Sequence, residues 1–283
     1  MNTCMPRMPL NLRKNTMASS PGSRSALTAV SAPLSEAPRR RSQVNLSDQA
    51  YEQIESLLVS CELKPGRFLA THELQAMVGL GRTPVHQAVN RLAADTLVIV
   101  SPRHGIQIAP VDLTRERVLL QLRRDMERFV IRLATERSGA SQRNQMLHLR
   151  RQLIEHGADM TIAQFNQVDR RIDQLFLAAA NEPFVESTLR PLHTIFRRIG
   201  WIYHMQTPQH TNLQSTVDGH IAVIDAVANG HVDAAITASD GLMDFVESMF
   251  TVLEREVAPS LLDCSLDAMD DTFAPIASVE NSL

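Results

Sequence analysis

"GLGRTPVHQAVNRL", residues 79–92, is the stretch whose reading decides the fold. Gly79 ends a short helix, as glycine does just past a helix C-terminus. Thr83 is a good N-cap for the next helix, and Pro84 suits its first position, where a missing N–H costs nothing. At helical spacing Val85, Ala88, Val89 and Leu92 gather on one side, and His86, Gln87, Asn90 and Arg91 on the other. Such a helix can rest on a core and still present a polar surface.

The flanks give that helix a setting. Upstream, Ser47 can cap a helix in which Ala50, Tyr51, Ile54, Leu57 and Leu58 share a face, and "KPG" at 64–66 ends it in a turn. Thr71 then caps a short helix holding Leu74, Met77 and Val78. Downstream, "TLVIVS" at 96–101 and "IQIAP" at 106–110 read as strands joined by "PRHG", with Gly105 free to take positive φ. Three helices and a two-stranded hairpin over residues 46–110 predict a winged helix-turn-helix, a DNA-binding unit.

In such a unit the helix from Thr83 enters the major groove. Its N-terminal amides attract a phosphate, to which Thr83 adds a hydroxyl. Arg82 is placed for a guanine edge or a phosphate, and Gln87 and Asn90 suit adenine edges. Arg103 and His104 lead the hairpin tip toward a minor groove. Each residue alone also reads as an ordinary solvated side chain; their order, followed by a wing, favours DNA.

Residues 1–45 are rich in Ser, Pro, Ala and Arg and read as a disordered basic arm, with Arg39, Arg40 and Arg41 as a candidate phosphate contact. Residues 111–257 carry long helical periods and predict an all-α antiparallel bundle, so the fold class is mainly α. Thr114 can cap its first helix, with Val118, Leu122, Met126, Phe129, Val130 and Leu133 on one face. Pro191 falls inside a later helix and predicts a kink. Residues 258–283 are acidic, without Lys or Arg, and read as a disordered tail.

A net charge of −3 leaves no global field for nucleic acid, so DNA binding must come from local placement. Aromatics at 4% argue against a stacking platform for single strands. Three scattered cysteines, no apolar leader in Met1–Leu12 and no transmembrane stretch point to a reduced, cytoplasmic setting.

"LKPGRFLATHELQAMVGLGRTPVHQAVNRLAADTLVIVSPRHGIQIAP" resembles the DNA-binding domain of GntR-type bacterial transcription regulators. That family has a PG turn, an "L-A-x-x-x-G-V-S-R-T-P-V-R-x-A-L-x-x-L" core and a hairpin with a glycine. The helical region behind it is similar to the effector domain of the FadR-like branch, an FCD-type bundle that binds small carboxylic acids. The resemblance implies base contacts from Arg82, which with Thr83 matches the family's turn, and a wing at His104-Gly105. Two expected arginines are replaced by His72, just after Thr71, and by His86. Histidine is mostly neutral near pH 7, which weakens the expected phosphate attraction.

The same resemblance implies an effector site. Arg123 matches an arginine that faces the family's effector cavity, where it can pair with a carboxylate; a surface pair with Glu127 is the plainer reading. Many members hold a metal such as zinc or nickel through an Asp, a His four residues on and two later His. Asp169 and His220 match two of these; Asp173 stands where a His is expected, and the last falls near Leu242. Asp169, Asp173 and His220 thus form either an altered metal and effector site or an Asp–Arg pair beside a core histidine.

The expectation is a ligand-responsive, sequence-specific regulator that works as a homodimer. It would be a repressor released from a palindromic double-stranded DNA operator by a small carboxylic acid. Two alternatives remain: a metal-dependent enzyme using Asp169, Asp173 and His220, and a constitutive DNA binder whose bundle only dimerises. No nucleophile–base motif supports the enzyme.

Overall fold

The computed structural model of the chain describes residues 45–102, 105–207, 209 and 212–266. The basic arm up to residue 44, the wing residues Arg103 and His104, and the tail from 267 lie outside the described residues.

The first helices start earlier than their expected caps. Helix α1 (Leu46–Val59) is capped by Asn45, whose side chain accepts from the Ser47 N–H at 3.1 Å. Helix α2 (Thr71–Val78) begins after Ala70, whose N–H donates to Glu73 Oε2 at 2.6 Å. Helix α3 (Arg82–Ala94) begins after Gly81, so Thr83 and Pro84 occupy its second and third positions. The shift is tolerable because the first four N–H groups of a helix lack partners, so Pro84 forfeits no bond there. Gly79, in the left-handed region with φ 65°, makes the turn between α2 and α3.

Two strands follow, β2 (Val98–Ser101) and β3 (Gly105–Ile108), and a third that the sequence reading lacks, β1 (Phe68–Leu69). The order is β1-β3-β2, all antiparallel, with Leu69 opposite Ile106. A two-residue strand is too short to show a period. The core beneath is apolar throughout: Ile54, Leu58, Leu74, Val85, Leu92 and Ile108 are all essentially inaccessible. Gly105 closes the sheet with φ +91°, and a Cβ there would stand 2.8 Å from the Leu69 carbonyl oxygen. Gly105→Ala is expected to cost about 1–3 kcal/mol, from positive φ and a clash with backbone. A thermal melt reads this loss, and an unchanged midpoint would contradict the fit of β1 against β3.

Six long helices follow: α4 (Leu113–Arg137), α5 (Ala140–His156), α6 (Ile162–Ala180), α7 (Pro183–Gln206), α8 (Gln214–Ala228) and α9 (Val232–Glu256). Asp112, not Thr114, caps α4, accepting from the Arg115 N–H at 3.0 Å. Helix α4 packs on α6 and α9, α8 packs on α5 and α9, and α7 runs on through Pro191. Helix α1 packs on α7, which seats the winged unit against the bundle.

Helix α4 keeps half of the expected core face, with Val130 and Leu133 buried and Met126 half-buried, and corrects the rest. Val118, Leu122 and Phe129 are exposed, while Leu120, Val130 and Ile131 are buried together with Glu116, Arg123 and Glu127. Arg123 and Glu127 can occupy the inward stripe because they pair with each other, which a polarity pattern cannot register.

The start of the tail also differs from its reading as disordered. Pro259–Leu262 forms a helical turn, α10, and Cys264–Leu266 a 3₁₀ turn. Two backbone bonds hold them: the Val111 N–H donates to Leu262 O at 2.8 Å, and the Cys264 N–H to Pro65 O at 2.9 Å. The chain joining the winged unit to α4 is thus tied to the turn after α1.

Candidate DNA interface and ligand cavity

Helix α3 buries Val85, Ala88, Val89 and Leu92 and exposes Arg82, Thr83, His86, Gln87 and Asn90. The predicted reading face is therefore one continuous exposed surface at the start of the helix. Arg82 makes no hydrogen bond or ion pair among the described residues. Asn90 Nδ2 lies 3.3 Å from His86 Nδ1, so those two side chains share one hydrogen bond. Arg91, one turn on, is committed elsewhere: its guanidinium meets Asp48 at 2.6 Å and stacks over the Tyr51 ring at 4.4 Å. His72 is exposed near the start of α2, next to the half-buried Thr71.

The bundle holds a connected set of buried charges. Asp169 (α6) meets His220 Nε2 (α8) at 2.7 Å, and His220 Nδ1 lies 2.7 Å from the Thr216 carbonyl. Both ring nitrogens thus face oxygen acceptors, an arrangement that suits the imidazolium. Burial alone would lower the His220 pKa, but the hydrogen bond and charge of Asp169 raise it above the usual value. Burial would likewise raise the Asp169 carboxyl; the His220 bond and charge, with Arg197 and Arg123, hold it well below the usual carboxylate range.

One helical turn on, Asp173 turns toward α7. Its Oδ2 lies 3.3 Å from His193 Nδ1 and 3.9 Å from Arg197 Nη2. Burial pushes the Asp173 carboxyl up to about 6, against the pull of the His193 charge. His193 Nε2 reaches Glu127 at 2.8 Å, and Glu127 takes the Arg123 Nε at 3.2 Å. The Arg123–Glu127 pair is therefore buried, not the surface pair of the plainer sequence reading. Arg123 also lies over the Phe196 ring at 5.2 Å.

A small cavity of about 50 Å³ opens among Arg123, Asp169, Phe196, Arg197 and His220. That is room for a few waters, not for an organic ligand, so a ligand must displace a side chain. A larger cavity, about 310 Å³, lies between α1, α6 and α7 and is lined by Glu55, Arg170, Asp173, Arg190, His193 and Arg197.

The donor set does not fit a metal ion. Asp169 and His220 bond each other, Asp173 faces His193, and Leu242 stands where a third histidine is expected, packed on Gly219. Among the described residues no three His, Cys, Asp or Glu groups converge to hold one. Apart from His220, which Asp169 already holds, the cations at the cavity are Arg123 and Arg197.

Of the predicted effector residues, the structure brings Arg123, Asp169 and His220 to this cavity and sets Asp173 on the neighbouring one. Sequence reasoning missed Glu55 and His193. The signal for Glu55 was present: it sits four residues after Tyr51 and three before Leu58, on the apolar face of α1.

Residues 46–108 match the model for bacterial regulatory proteins of the gntR family, and residues 118–245 match the FCD domain model. An uncharacterised HTH-type transcriptional regulator of Streptomyces ambofaciens is 27% identical over 212 residues, covering 72% of this chain and 84% of that one. The HTH-type transcriptional repressor RspR of Escherichia coli is 23% identical, covering 76% and 89%. Among solved structures, E. coli McbR/YncC aligns with a TM-score of 0.64 at 19% identity, over 75% of this chain and all of the other. A GntR regulator from Rhodococcus aligns with a TM-score of 0.57 at 16% identity, over 73% and 97%.

Proposed function

The chain belongs to the GntR family of transcription regulators and carries an FCD domain behind its DNA-binding unit, and from that premise we propose that it is a repressor whose operator affinity answers to a small carboxylic acid held in the bundle. The observation that carries this reading is the pairing of two features. The start of α3 exposes Arg82, Thr83, His86 and Gln87 without binding Arg82 to the protein. The cavity behind it sets Arg123 and Arg197 beside a buried acid–histidine pair.

Two guanidiniums in a poorly hydrated cavity recognise a carboxylate by paired, charge-assisted hydrogen bonds. Asp169 repels such a ligand, so entry requires Arg123 or Arg197 to turn from its present partner toward it. Homodimer formation is assigned to the exposed face of α4, where Val118, Leu122 and Phe129 form an apolar stripe. Two such chains present two recognition helices, which suits a palindromic operator. Thr71, His72 and Asn90, beside the leading residues, are assigned to the same DNA face, with Gly105 shaping the wing. Among the described residues no helix is long and apolar enough to cross a membrane, and a cytoplasmic, DNA-associated location fits that reading.

The test is fluorescence anisotropy on a duplex selected by the full chain from a random pool, with acetate, lactate, succinate or citrate added. At least one acid is expected to weaken DNA binding by about five- to a hundredfold and to raise the melting temperature of the free protein. DNA binding that ignores every acid, with no thermal shift, would replace this reading by a constitutive binder with a dimerising bundle.

A further inference from the structure

We propose that Arg197 is the positioning residue through which the state of the bundle cavity reaches the DNA-binding unit, an inference that rests on the reading above and deepens it. Arg197 lines both the bundle cavity and the larger cavity under α1. Its Nε faces Asp169 Oδ2 at 3.6 Å, on the ligand side. Its Nη2 faces Glu55 Oε1 at 3.6 Å and Asp173 Oδ2 at 3.9 Å, on the other. Glu55 belongs to α1 of the winged unit and is 2% exposed. One guanidinium therefore joins a carboxylate of the DNA-binding unit to the carboxylates of the candidate ligand site.

The surroundings let this contact switch. An anion entering beside Arg123 competes with Glu55 for the Arg197 guanidinium. Glu55 is not stranded when Arg197 turns away, because Arg170 and the Thr194 hydroxyl also hold it. Burying an unpaired carboxylate would make the move prohibitive; a carboxylate with two remaining partners does not. The cavity of about 310 Å³ beside the contact gives the side chains room. Arg198, the next residue of α7, instead donates to the Ala109 carbonyl at 2.9 Å, at the end of the wing, and is absent from the cavity wall. That contact keeps the winged unit attached while the Glu55–Arg197 contact opens, so the two units share a two-state element.

The test is a double-mutant cycle on the full chain without added ligand, read by affinity for the selected duplex. Glu55→Gln removes the acceptor charge. Arg197→Lys keeps the buried charge but cannot face Asp169 and Glu55 at once, because its single ammonium replaces a fork of nitrogens. Each variant is expected to weaken DNA binding by about tenfold, with the double variant no weaker than either alone. Arg190→Lys, on the wall of the larger cavity but paired among the described residues only with Glu186 at 3.8 Å, is expected to keep wild-type affinity. The melting temperature of Arg197→Lys should stay near that of the wild type, which separates loss of coupling from loss of structure.

Single variants at wild-type affinity, or losses that multiply in the double variant, overturn the proposal. If Glu55→Gln does not fold, Arg197→Lys decides alone by the same criterion. The acid titrations of the wild type keep the two ideas apart. An acid that releases DNA, with an additive cycle, defeats the relay only; a coupled cycle with no response to any acid defeats the ligand reading and leaves the relay.

Discussion

An Asp169→Ala variant loses about 3 kcal/mol of stability near pH 5.5, and less at pH 9. The variant strips the hydrogen-bond acceptor from His220 Nε2 and a counter-charge 3.6 Å from Arg197 Nε, which itself donates to the His193 carbonyl; both cations are buried. The pH dependence follows from the two directions. Asp169 is held below its unfolded pKa, so its contribution is present above about 4 and is lost as pH falls through the lower, folded value. His220 is held above its unfolded pKa, so its contribution is complete below about 6.5 and is lost as pH rises through the higher, folded value. The pair is therefore strongest between these limits and fades on the alkaline side once the imidazolium gives up its proton. His220→Asn should show a similar profile, and the double variant should cost less than the sum of the singles. Urea melts at several pH values measure this; equal losses from pH 5 to 9 would mean that Asp169 acts through Arg197 alone.

The contrast between α3 and α4 shows how far sequence reasoning reaches in this chain. In α3 the buried positions are all apolar and the exposed ones polar except for the terminal Ala94, so helical spacing recovers the faces even though the N-cap, Gly81, stands two residues before the expected Thr83. In α4 the same arithmetic is half right: Val130 and Leu133 are buried and Met126 is half-buried as expected, but the other three positions face outward. Its inward stripe carries Glu116, Arg123 and Glu127, while Val118, Leu122 and Phe129 face outward. Periodicity equates polarity with exposure, and that equation fails wherever charges meet partners from other helices. Arg123 needs Glu127, which needs His193, which in turn meets Asp173. Those partners come from α4, α6 and α7, so only the folded arrangement brings them together. Glu116 departs from the rule in another way: burial pushes its carboxyl up to about 8, Oε2 has no hydrogen-bond partner among the described residues, and no local pattern marks it. The candidate reading face was legible because most of it sits on α3, and the candidate ligand cavity was legible only as far as a family pattern carried Arg123, Asp169 and His220.

Arg82→Ala should weaken binding to the selected duplex by about 10- to 100-fold while leaving the melting temperature unchanged. Arg82 is the first residue of α3, exposed, and without a protein partner among the described residues, so its removal disturbs no fold contact. Arg91→Ala, nine residues on, should behave in the opposite way. Arg91 ties α3 to α1 through Asp48 and Tyr51, so its loss is expected to lower stability by roughly 1 kcal/mol and to touch DNA binding only through that. The form of the Arg82 loss also identifies its contact. A guanine edge read in the major groove predicts relaxed preference at one base position of each half-site. A phosphate contact predicts equal weakening on every sequence and a salt dependence shallower by about one ion. Affinities on single-base variants of the duplex at several salt concentrations separate the two. An Arg82→Ala protein with wild-type affinity under all of them would remove the start of α3 from the DNA interface, because Arg82 is the one Lys or Arg in the first two turns of that helix.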